Sequence, residues 1–405
     1  MSDELYPGGL LGPSLPAHLY IHVPFCASKC AYCDFASVAG ASDEVVGAVF
    51  TGIRSQLRRW ASTGLDGVLD TVYVGGGTPS LYPDEVIRVL EYVRKHFIVR
   101  SGAEITVEAN PDSLDIEIAR AFAGAGVSRI SVGVQSFDDS VLRVLGRRHN
   151  AQAAWEACGA VRDAGLDLSV DLICGVPGQT VTSWSETLAR AAATGARHAS
   201  VYPLSVEDGT PLQVAVDTGL LDEPDSDVAA EMMLLAEATL GYHSLRRYEV
   251  ANYAVDRAHE SRHNSAYWSG RMYMGVGPGA HGMLDSMTAR VFGLLDVDDV
   301  MTTRVRYANV DDISEWFVGH GDTTEMLTAE EVSREDVMLG MRLVRGVPRS
   351  QVEAAGLGEV LELLASDGLV ELASDEVSRP GPNWRTTQRG WLLGNEVFSR
   401  IWAGE

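Results

Sequence analysis

Basic residues are scarce in this sequence, and lysine is nearly absent from it. The 405 residues include 32 Lys and Arg against 56 Asp and Glu, which gives a formal net charge of −24. Binding to DNA or RNA without regard to sequence needs clustered cations that displace counterions, so this charge argues against nucleic acid as a partner. The same charge disfavours adsorption to an anionic membrane surface.

Targeting and membrane-spanning segments are also missing from the sequence. The N-terminal residues 1–20 contain neither a cationic start nor the apolar stretch of a secretory signal. No run of about 18 uncharged apolar residues occurs, so we expect no segment that crosses a bilayer. The sequence therefore predicts a cytoplasmic protein that is not an integral membrane protein.

The cysteines do not have the pattern of a disulfide-stabilised protein. There are five of them, and an odd number in a long chain is a poor disulfide framework. Cys158 lies in a helical pattern and Cys174 at a strand end, and both are interpreted as small core residues. Apolar residues make up 46% and charged residues 22%, which is typical of a globular protein.

Short β-branched runs alternate with amphipathic segments through the first half of the chain. This alternation predicts a parallel sheet with right-handed helical crossovers. Because six strand–helix units occur rather than eight, we expect an α/β fold with a partial (β/α)6 barrel that is open enough for a large ligand. The predicted strands cover 18–23, 70–75, 103–109, 128–134, 167–173 and 197–202. The predicted helices cover 42–61, 83–97, 114–125, 138–146, 151–165 and 182–195.

The remaining sequence divides into further segments around this core, which is predicted to cover residues 17–205. Residues 1–16 are an N-terminal extension, and residues 206–326 are expected to extend the sheet with irregular or antiparallel structure. Residues 327–405 have a helix–turn–helix–strand order that resembles a winged-helix module. This C-terminal module contains several acidic residues and no basic recognition helix, so we interpret it as a packing module rather than a nucleic-acid reader.

Three cysteines are clustered directly after the first predicted strand. Cys26, Cys30 and Cys33 form a C-x3-C-x2-C loop, and three thiolates at this spacing can hold three irons of a [4Fe–4S] cluster. The fourth iron would then be open to a small molecule. A structural zinc site is the alternative, and it would need a fourth ligand such as His22.

An open iron suits S-adenosylmethionine, whose amino and carboxylate groups can chelate it. A C-x3-C-x2-C loop after the first strand of a repeating β/α chain resembles the radical SAM superfamily. The segments YIHVPFC, YCDF, VGGGTPS, EANP, GVQSF and DLICGVPGQT resemble one branch of it. That branch contains anaerobic coproporphyrinogen III dehydrogenase and the HemW-type heme chaperones, and the resemblance covers about residues 17–400.

The resemblance implies which residues contact S-adenosylmethionine, beginning with the residues on the first two predicted strands. Tyr20 would contact the ligand shortly before the cysteine loop. Gly76, Gly77 and Thr78 would bind its amino-acid part, because glycines permit close approach of the backbone and N–H groups can meet a carboxylate.

Four more residues at later strand ends complete the set that the resemblance implies. Glu108 would accept hydrogen bonds from the amino or ribose groups, and Gln135 would bond the ribose. Arg147 would face the carboxylate with its forked guanidinium, although the adjacent Arg148 could take that position. Asp171 would face the same opening. Taken singly, Glu108 and Asp171 could equally be hydrogen-bonded core carboxylates.

Three features distinguish the two activities within this branch. The dehydrogenases have a further cysteine two residues after the third, where this chain has Phe35. They also have a long arm before the cluster, whereas only 25 residues precede Cys26 here. The segment RHNSAYW at 262–268 resembles the H-N-x-x-Y-W motif that marks HemW-type proteins and has been linked to heme binding.

The resemblance therefore implies a heme chaperone that binds heme and transfers it to acceptor proteins, which could include proteins of the respiratory chain. His263 is the leading candidate heme ligand, because imidazole ligates heme iron and the aromatic neighbours could pack on the macrocycle. His281 is the main competitor, and a core role for His263 is the structural alternative. Two other functions stay open: coproporphyrinogen III dehydrogenase, and a radical SAM enzyme with another substrate. A homodimer is also left open.

Overall fold

The computed structural model describes residues 13–374 and 381–405. Residues 1–12 of the predicted N-terminal extension therefore lie outside the described part of the chain. The strands are β1 His18–Val23, β2 Phe25–Cys26, β3 Val38–Ala39, β4 Val68–Gly76, β5 Ile98–Ala109, β6 Arg129–Gln135, β7 Asp167–Cys174, β8 His198–Pro203, β9 Arg246–Arg247, β10 Asn252–Ala254, β11 Tyr273–Val276, β12 His281–Asp285, β13 Thr302–Ala308, β14 Thr323–Thr328, β15 Val347–Pro348, β16 Val370–Ser374 and β17 Pro382–Thr386.

Helices follow most of the strands. The helices are α1 Asp43–Ala61, α2 Pro83–His96, α3 Ile116–Gly124, α4 Asp139–Val144, α5 Ala151–Asp163, α6 Val181–Ala193, α7 Pro211–Asp217, α8 Ser226–Tyr242, α9 Arg262–Trp268, α10 Ser286–Val291, α11 Ile313–Val318, α12 Ala329–Gly340, α13 Arg349–Ala354, α14 Gly358–Ser366, α15 Gln388–Leu392 and α16 Gly394–Ala403. In the part of the chain that the structure describes, no helix is both long and apolar enough to span a bilayer.

The six predicted strands lie side by side in one sheet, in the order β1, β4, β5, β6, β7, β8. Each pairs with the next in parallel, so the predicted α/β fold with a (β/α)6 half-barrel is confirmed. The sheet continues beyond both ends of this set to twelve strands. At one end β11 adds to β1 in parallel, where irregular or antiparallel structure was expected, and β12, β13 and β14 follow in antiparallel pairing.

Alternation along each parallel strand separates an apolar face from a polar one. In β1, Leu19, Ile21 and Val23 are fully buried in the main hydrophobic core, which the helices cover. The opposite face of the neighbouring strands carries polar side chains, among them Ser131 on β6 and Asp171 on β7, and it lines a cavity. The inside of the half-barrel is therefore polar, and its outside supplies the core.

The C-terminal segment has a hydrophobic core of its own. It contains a three-stranded antiparallel sheet in the order β15, β17, β16, and helices α12, α13, α14 and α16 pack with it. The winged-helix assignment of this segment stays a prediction. Residues 375–380, between β16 and β17, lie outside the described residues.

Candidate functional site

A cavity of about 420 Å³ opens where the cysteine loop meets the carboxyl ends of the parallel strands. Among its walls are all the site residues expected from the sequence except Tyr20 and His263. The expected residues that line it are Cys26, Cys30, Cys33, Gly76, Gly77, Thr78, Glu108, Gln135, Arg147 and Asp171. Strands that are far apart in sequence therefore bring these side chains to one place, as parallel pairing requires.

The cysteine loop is held against this cavity by hydrogen bonds of its own backbone. The N–H of Ala31 donates to the Leu145 carbonyl (3.0 Å), and the Ala31 carbonyl accepts from the Leu212 N–H (2.8 Å). All three thiols of the loop are free of disulfide bonds and partly exposed to the cavity. Burial raises the pKa of the Cys26 and Cys33 thiols. Since iron is ligated by the thiolate, both groups would release a proton when a cluster binds.

The donor set fits an iron–sulfur cluster, because three cysteine thiols of one loop line the cavity. A cluster takes one thiolate per iron, whereas an ion needs ligands that converge on one point. Within residues 13–374 and 381–405, no three His, Cys, Asp or Glu side chains converge in that way. His22, the proposed fourth zinc ligand, has both ring nitrogens engaged: Nε2 donates to the Ala36 carbonyl (2.8 Å) and Nδ1 bonds the Tyr20 hydroxyl (2.9 Å).

The glycine-rich turn after β4 packs directly on the strand that leads into the cysteine loop. A Cβ on Gly77 would meet the Phe25 carbonyl oxygen at 2.5 Å, so only glycine fits there. The N–H groups of Gly77 and Thr78 donate to the carbonyls of Val23 (2.8 Å) and Phe25 (2.7 Å). These two N–H groups were expected to contact the carboxylate of S-adenosylmethionine. In the structure they instead hold the turn against the strand that leads into the cysteine loop.

Glu108 is held at the end of β5 by donors from β4. The Tyr73 hydroxyl donates to Oε1 (2.7 Å) and the Gly76 N–H donates to Oε2 (3.0 Å). Burial in the cavity wall raises the pKa of Glu108 to about 7. Burial likewise raises the pKa of Asp171 to about 6, although Ser131 donates to its carboxylate. Near neutral pH both carboxyls can therefore accept or release a proton.

Of the two adjacent arginines, Arg147 lines the cavity and Arg148 points away from it, where it pairs with Asp112 at 3.3 Å. The Arg147 guanidinium donates to the Cys30 Sγ (3.2 Å) and to the Asn110 Oδ1 (2.5 Å). It thus stands between the cysteine loop and the strand ends. A guanidinium in that position can bind a carboxylate or stabilise negative charge at the thiolates.

Two residues at the strand ends have features that the motifs alone did not reveal. Asn110 bridges the site, because it also donates from Nδ2 to the Thr78 Oγ1 (2.9 Å). Asn110 belongs to the EANP segment, but that segment alone does not indicate the bridging role. Gln135 has a positive φ of 63°, which is uncommon for a residue with a side chain and holds it at the cavity wall.

The cavity also extends deeper into the half-barrel than the strand-end residues indicated. Its inner wall is polar and includes the buried Arg129, whose guanidinium pairs with Glu104 at 3.1 Å. Most of these positions are single polar residues within a strand, or the first residue of one as Arg129 is in β6, and neither kind of position forms a motif. Asn264 is the exception, because it lies on α9 within the H-N-x-x-Y-W segment. The other polar residues of this inner wall are Thr106, Ser131, Ser169, His198, Ser200 and Asn264.

A second opening lies on the other side of the cysteine loop. We call it the aromatic cleft; it encloses about 550 Å³. Asp34 and Phe35 line both the cavity and the cleft, so the two spaces adjoin. The expected ligand contact Tyr20 lines the cleft and not the cavity, with its ring 6.1 Å from that of Tyr73. The other residues of the cleft are His22, Ala36, Tyr267, Trp268, Tyr273, Gly279, His281, Met283, Arg306, Asp311, Glu335 and Leu339.

His263 lies behind the cleft, on α9. It is 1% exposed, and its ring nitrogens bond the hydroxyls of Thr71 (Nδ1, 2.8 Å) and Tyr267 (Nε2, 2.8 Å). Burial lowers the pKa of His263 to about 3, so the ring is neutral. Its assignment as a heme ligand stays a prediction, and ligation would require one of these hydrogen bonds to break.

Known proteins resemble this chain over nearly its whole length. Residues 20–191 match the radical SAM superfamily. A heme chaperone HemW of Mycobacterium tuberculosis is 34% identical over 417 residues, which cover 98% of this chain and 97% of that protein. The Bacillus subtilis heme chaperone HemW is 33% identical over 389 residues, covering 94% and 97%.

The structure of Escherichia coli coproporphyrinogen III oxidase (HemN), a radical SAM enzyme, superposes with a TM-score of 0.77 at 21% identity. The alignment covers 96% of this chain and 90% of the enzyme, which establishes a shared fold. The sequence relatives go further than the fold, because their identity extends over nearly the full length of both chains. The chain therefore belongs to the HemW family within the radical SAM superfamily.

Proposed function

We propose that this protein binds heme and transfers it to acceptor proteins. The observation that carries the proposal is the 34% identity over 98% of the chain to a protein named heme chaperone HemW. The acidic surface implied by a net charge of −24 agrees with protein partners rather than nucleic acid.

The proposal includes a [4Fe–4S] cluster on Cys26, Cys30 and Cys33, with S-adenosylmethionine beside it. The cluster, when bound, supplies the electron that cleaves the sulfonium of S-adenosylmethionine. The chain's own part is positioning. Arg147 places positive charge 3.2 Å from the Cys30 sulfur, and Glu108 offers a carboxylate across the cavity.

The same cavity residues would serve the alternative activity, coproporphyrinogen III dehydrogenation, so the distinction depends on other features. Phe35 stands where the dehydrogenase branch has its extra cysteine, and this residue is 63% exposed. A phenyl ring there cannot ligate iron, and it separates the cavity from the aromatic cleft. This favours the chaperone over the dehydrogenase.

The cluster assignment is tested by cysteine replacement under anaerobic conditions. We expect about four irons per chain after reconstitution, and loss of the cluster absorbance and EPR signal when any one loop cysteine is replaced by Ala. Cys158→Ala and Cys174→Ala are the matched controls, because both thiols are buried away from the cavity. Loss of iron in Cys174→Ala but not in Cys30→Ala would contradict the ligand set.

Function is tested on one anaerobic preparation by hemin titration and by a coproporphyrinogen III assay. We expect about one heme per chain, and transfer of that heme to an apo-protein acceptor. We expect no conversion of coproporphyrinogen III when the reduced protein is given S-adenosylmethionine. Multiple turnovers to protoporphyrinogen IX would overturn the chaperone proposal in favour of the dehydrogenase.

A further inference from the structure

The histidines of this chain differ in whether their ring nitrogens are available. Of the ten, six hold side-chain hydrogen bonds: His18, His22, His149, His198, His259 and His263. Among the described residues, His96, His243, His281 and His320 have no such bond. Of these four, His281 lines the aromatic cleft. An imidazole that ligates heme iron needs a free ring nitrogen facing a space for the macrocycle, and His281 meets both conditions.

The aromatic cleft has the size and lining of a site for a large planar ligand. Its 550 Å³ lies within the range of small-molecule pockets, about 300–1,000 Å³. Tyr267, Trp268 and Tyr273 supply aromatic faces, and Met283 and Leu339 supply aliphatic surface. Aromatic side chains prefer stacked or edge-on packing against another π system, which a porphyrin provides.

His281 stands on a rigid part of this wall. It is the first residue of β12, and β12 pairs with β13 through His281 and Ala308. A Cβ on Gly275 would meet the His281 carbonyl oxygen at 1.8 Å, so β11 and β12 approach closely at this point. Gly279, with a φ of +70°, is also fixed, because a Cβ there would meet Ala36 at 2.8 Å. The imidazole is thus presented from a backbone with little freedom.

The charges at the cleft would set the orientation of a heme bound there. Arg306 lines the cleft and pairs with Glu325 (2.7 Å) and Glu335 (2.9 Å), and Asp311 adds a further carboxylate. Heme propionates would be repelled by these carboxylates. The propionates would therefore point out of the cleft to solvent, and the apolar edge of the macrocycle would point towards Tyr267 and Trp268.

We propose that heme binds in the aromatic cleft with His281 as its axial ligand. This assignment rests on the proposed function, since it takes heme as the cargo. It differs from the motif-based prediction in the ligand to iron, which is His281 instead of His263. Tyr267 and Trp268 of the motif would still pack on the macrocycle, whereas His263 stays in the core. Phe35 lines both the cleft and the cavity, so a heme bound in the cleft would lie beside the cysteine loop.

The assignment is tested by titrating hemin, and separately metal-free protoporphyrin IX, into wild-type protein and the variants His281→Ala, His263→Ala and His320→Ala. His281→Ala should weaken hemin binding about tenfold or more and shift the Soret band, because the iron–imidazole bond is lost. Its affinity for protoporphyrin IX, which has no iron to ligate, should change less than about twofold. Free imidazole should restore the wild-type Soret band, and the iron–sulfur absorbance should stay unchanged. His320→Ala should behave as wild type.

Two outcomes separate this assignment from the proposed function. A wild-type Soret band and affinity in His281→Ala, while the wild type binds hemin, would overturn the ligand assignment and leave the chaperone proposal standing. Loss of hemin only in His263→Ala would do the same and return the site to α9. Failure of the wild type to bind hemin saturably would overturn the proposed function itself.

Discussion

At the scale of single residues, the site is built on carboxyl groups that the fold keeps from water. Glu108 and Asp171 both lie on the polar face of the half-barrel, and burial raises the pKa of each. Their ordinary pKa values lie near 4, so the folded protein binds protons more tightly than the unfolded chain does. The carboxyl groups therefore make stability depend on pH in a predictable direction.

The prediction for Glu108 follows from linkage between protonation and folding. Its pKa rises from 4.5 to about 7, so the free energy of unfolding should fall as pH rises through that window, by at most about 1.4 kcal/mol per pH unit. Glu108→Gln should remove the part of this dependence that Glu108 contributes and leave the part due to Asp171, while keeping the shape of the side chain. Urea denaturation of both proteins from pH 4.5 to 8, without added S-adenosylmethionine, measures the difference. Parallel curves would show that Glu108 does not titrate in this range.

At the scale of elements, the parallel strands were predictable and their additions were not. β1, β4, β6 and β7 contain short β-branched runs bounded by turns, so periodicity locates them. β11 is only four residues long and pairs with β1, more than 250 residues earlier. Local patterning contains no information about such a distant partner.

The candidate site, like the sheet, was predictable where it depends on the parallel strands, and it was not predictable where it depends on contacts between distant segments. Residues at strand ends, such as Glu108 on β5 and Gln135 on β6, come together because parallel pairing places all carboxyl ends at one edge. The aromatic cleft involves residues from β1, the cysteine loop, β12 and α12, which only the three-dimensional arrangement unites. His281 was noted in the sequence, but its free ring and the burial of His263 became visible only in the structure.

The turn after β4 gives a prediction at this scale. Gly77→Ala should displace the strand that leads into Cys26, because its Cβ would lie 2.5 Å from a backbone oxygen that cannot move aside. We expect reduced iron content after reconstitution and a lower melting temperature. Gly159→Ala is the matched control, since nothing lies within 4 Å of its Cβ in the middle of α5. The control should raise stability by about 0.5–1 kcal/mol. Equal iron content in the two variants would contradict a role of Gly77 in fixing the loop.

At the scale of the whole molecule, a buried ion network joins the main sheet to the C-terminal segment. Arg304 on β13 donates to Glu335 (2.8 Å) and to Asp336 (2.8 Å), both on α12. Arg306 reaches the other oxygen of Glu335 at 2.9 Å. The Arg304 and Glu335 side chains are 6% and 2% exposed, so water screens this pair very little.

Removing one charge from this network should therefore cost far more than breaking a surface pair. Glu335→Gln leaves Arg304 buried with only Asp336 to compensate it, so we expect a loss of about 3 kcal/mol in the free energy of unfolding. Hydrogen exchange in α12 should accelerate, because its contact with β13 weakens. Glu353→Gln, which breaks the exposed pair with Arg349, should cost less than about 0.5 kcal/mol. Similar losses in the two variants would mean that the network does not hold the C-terminal segment on the sheet.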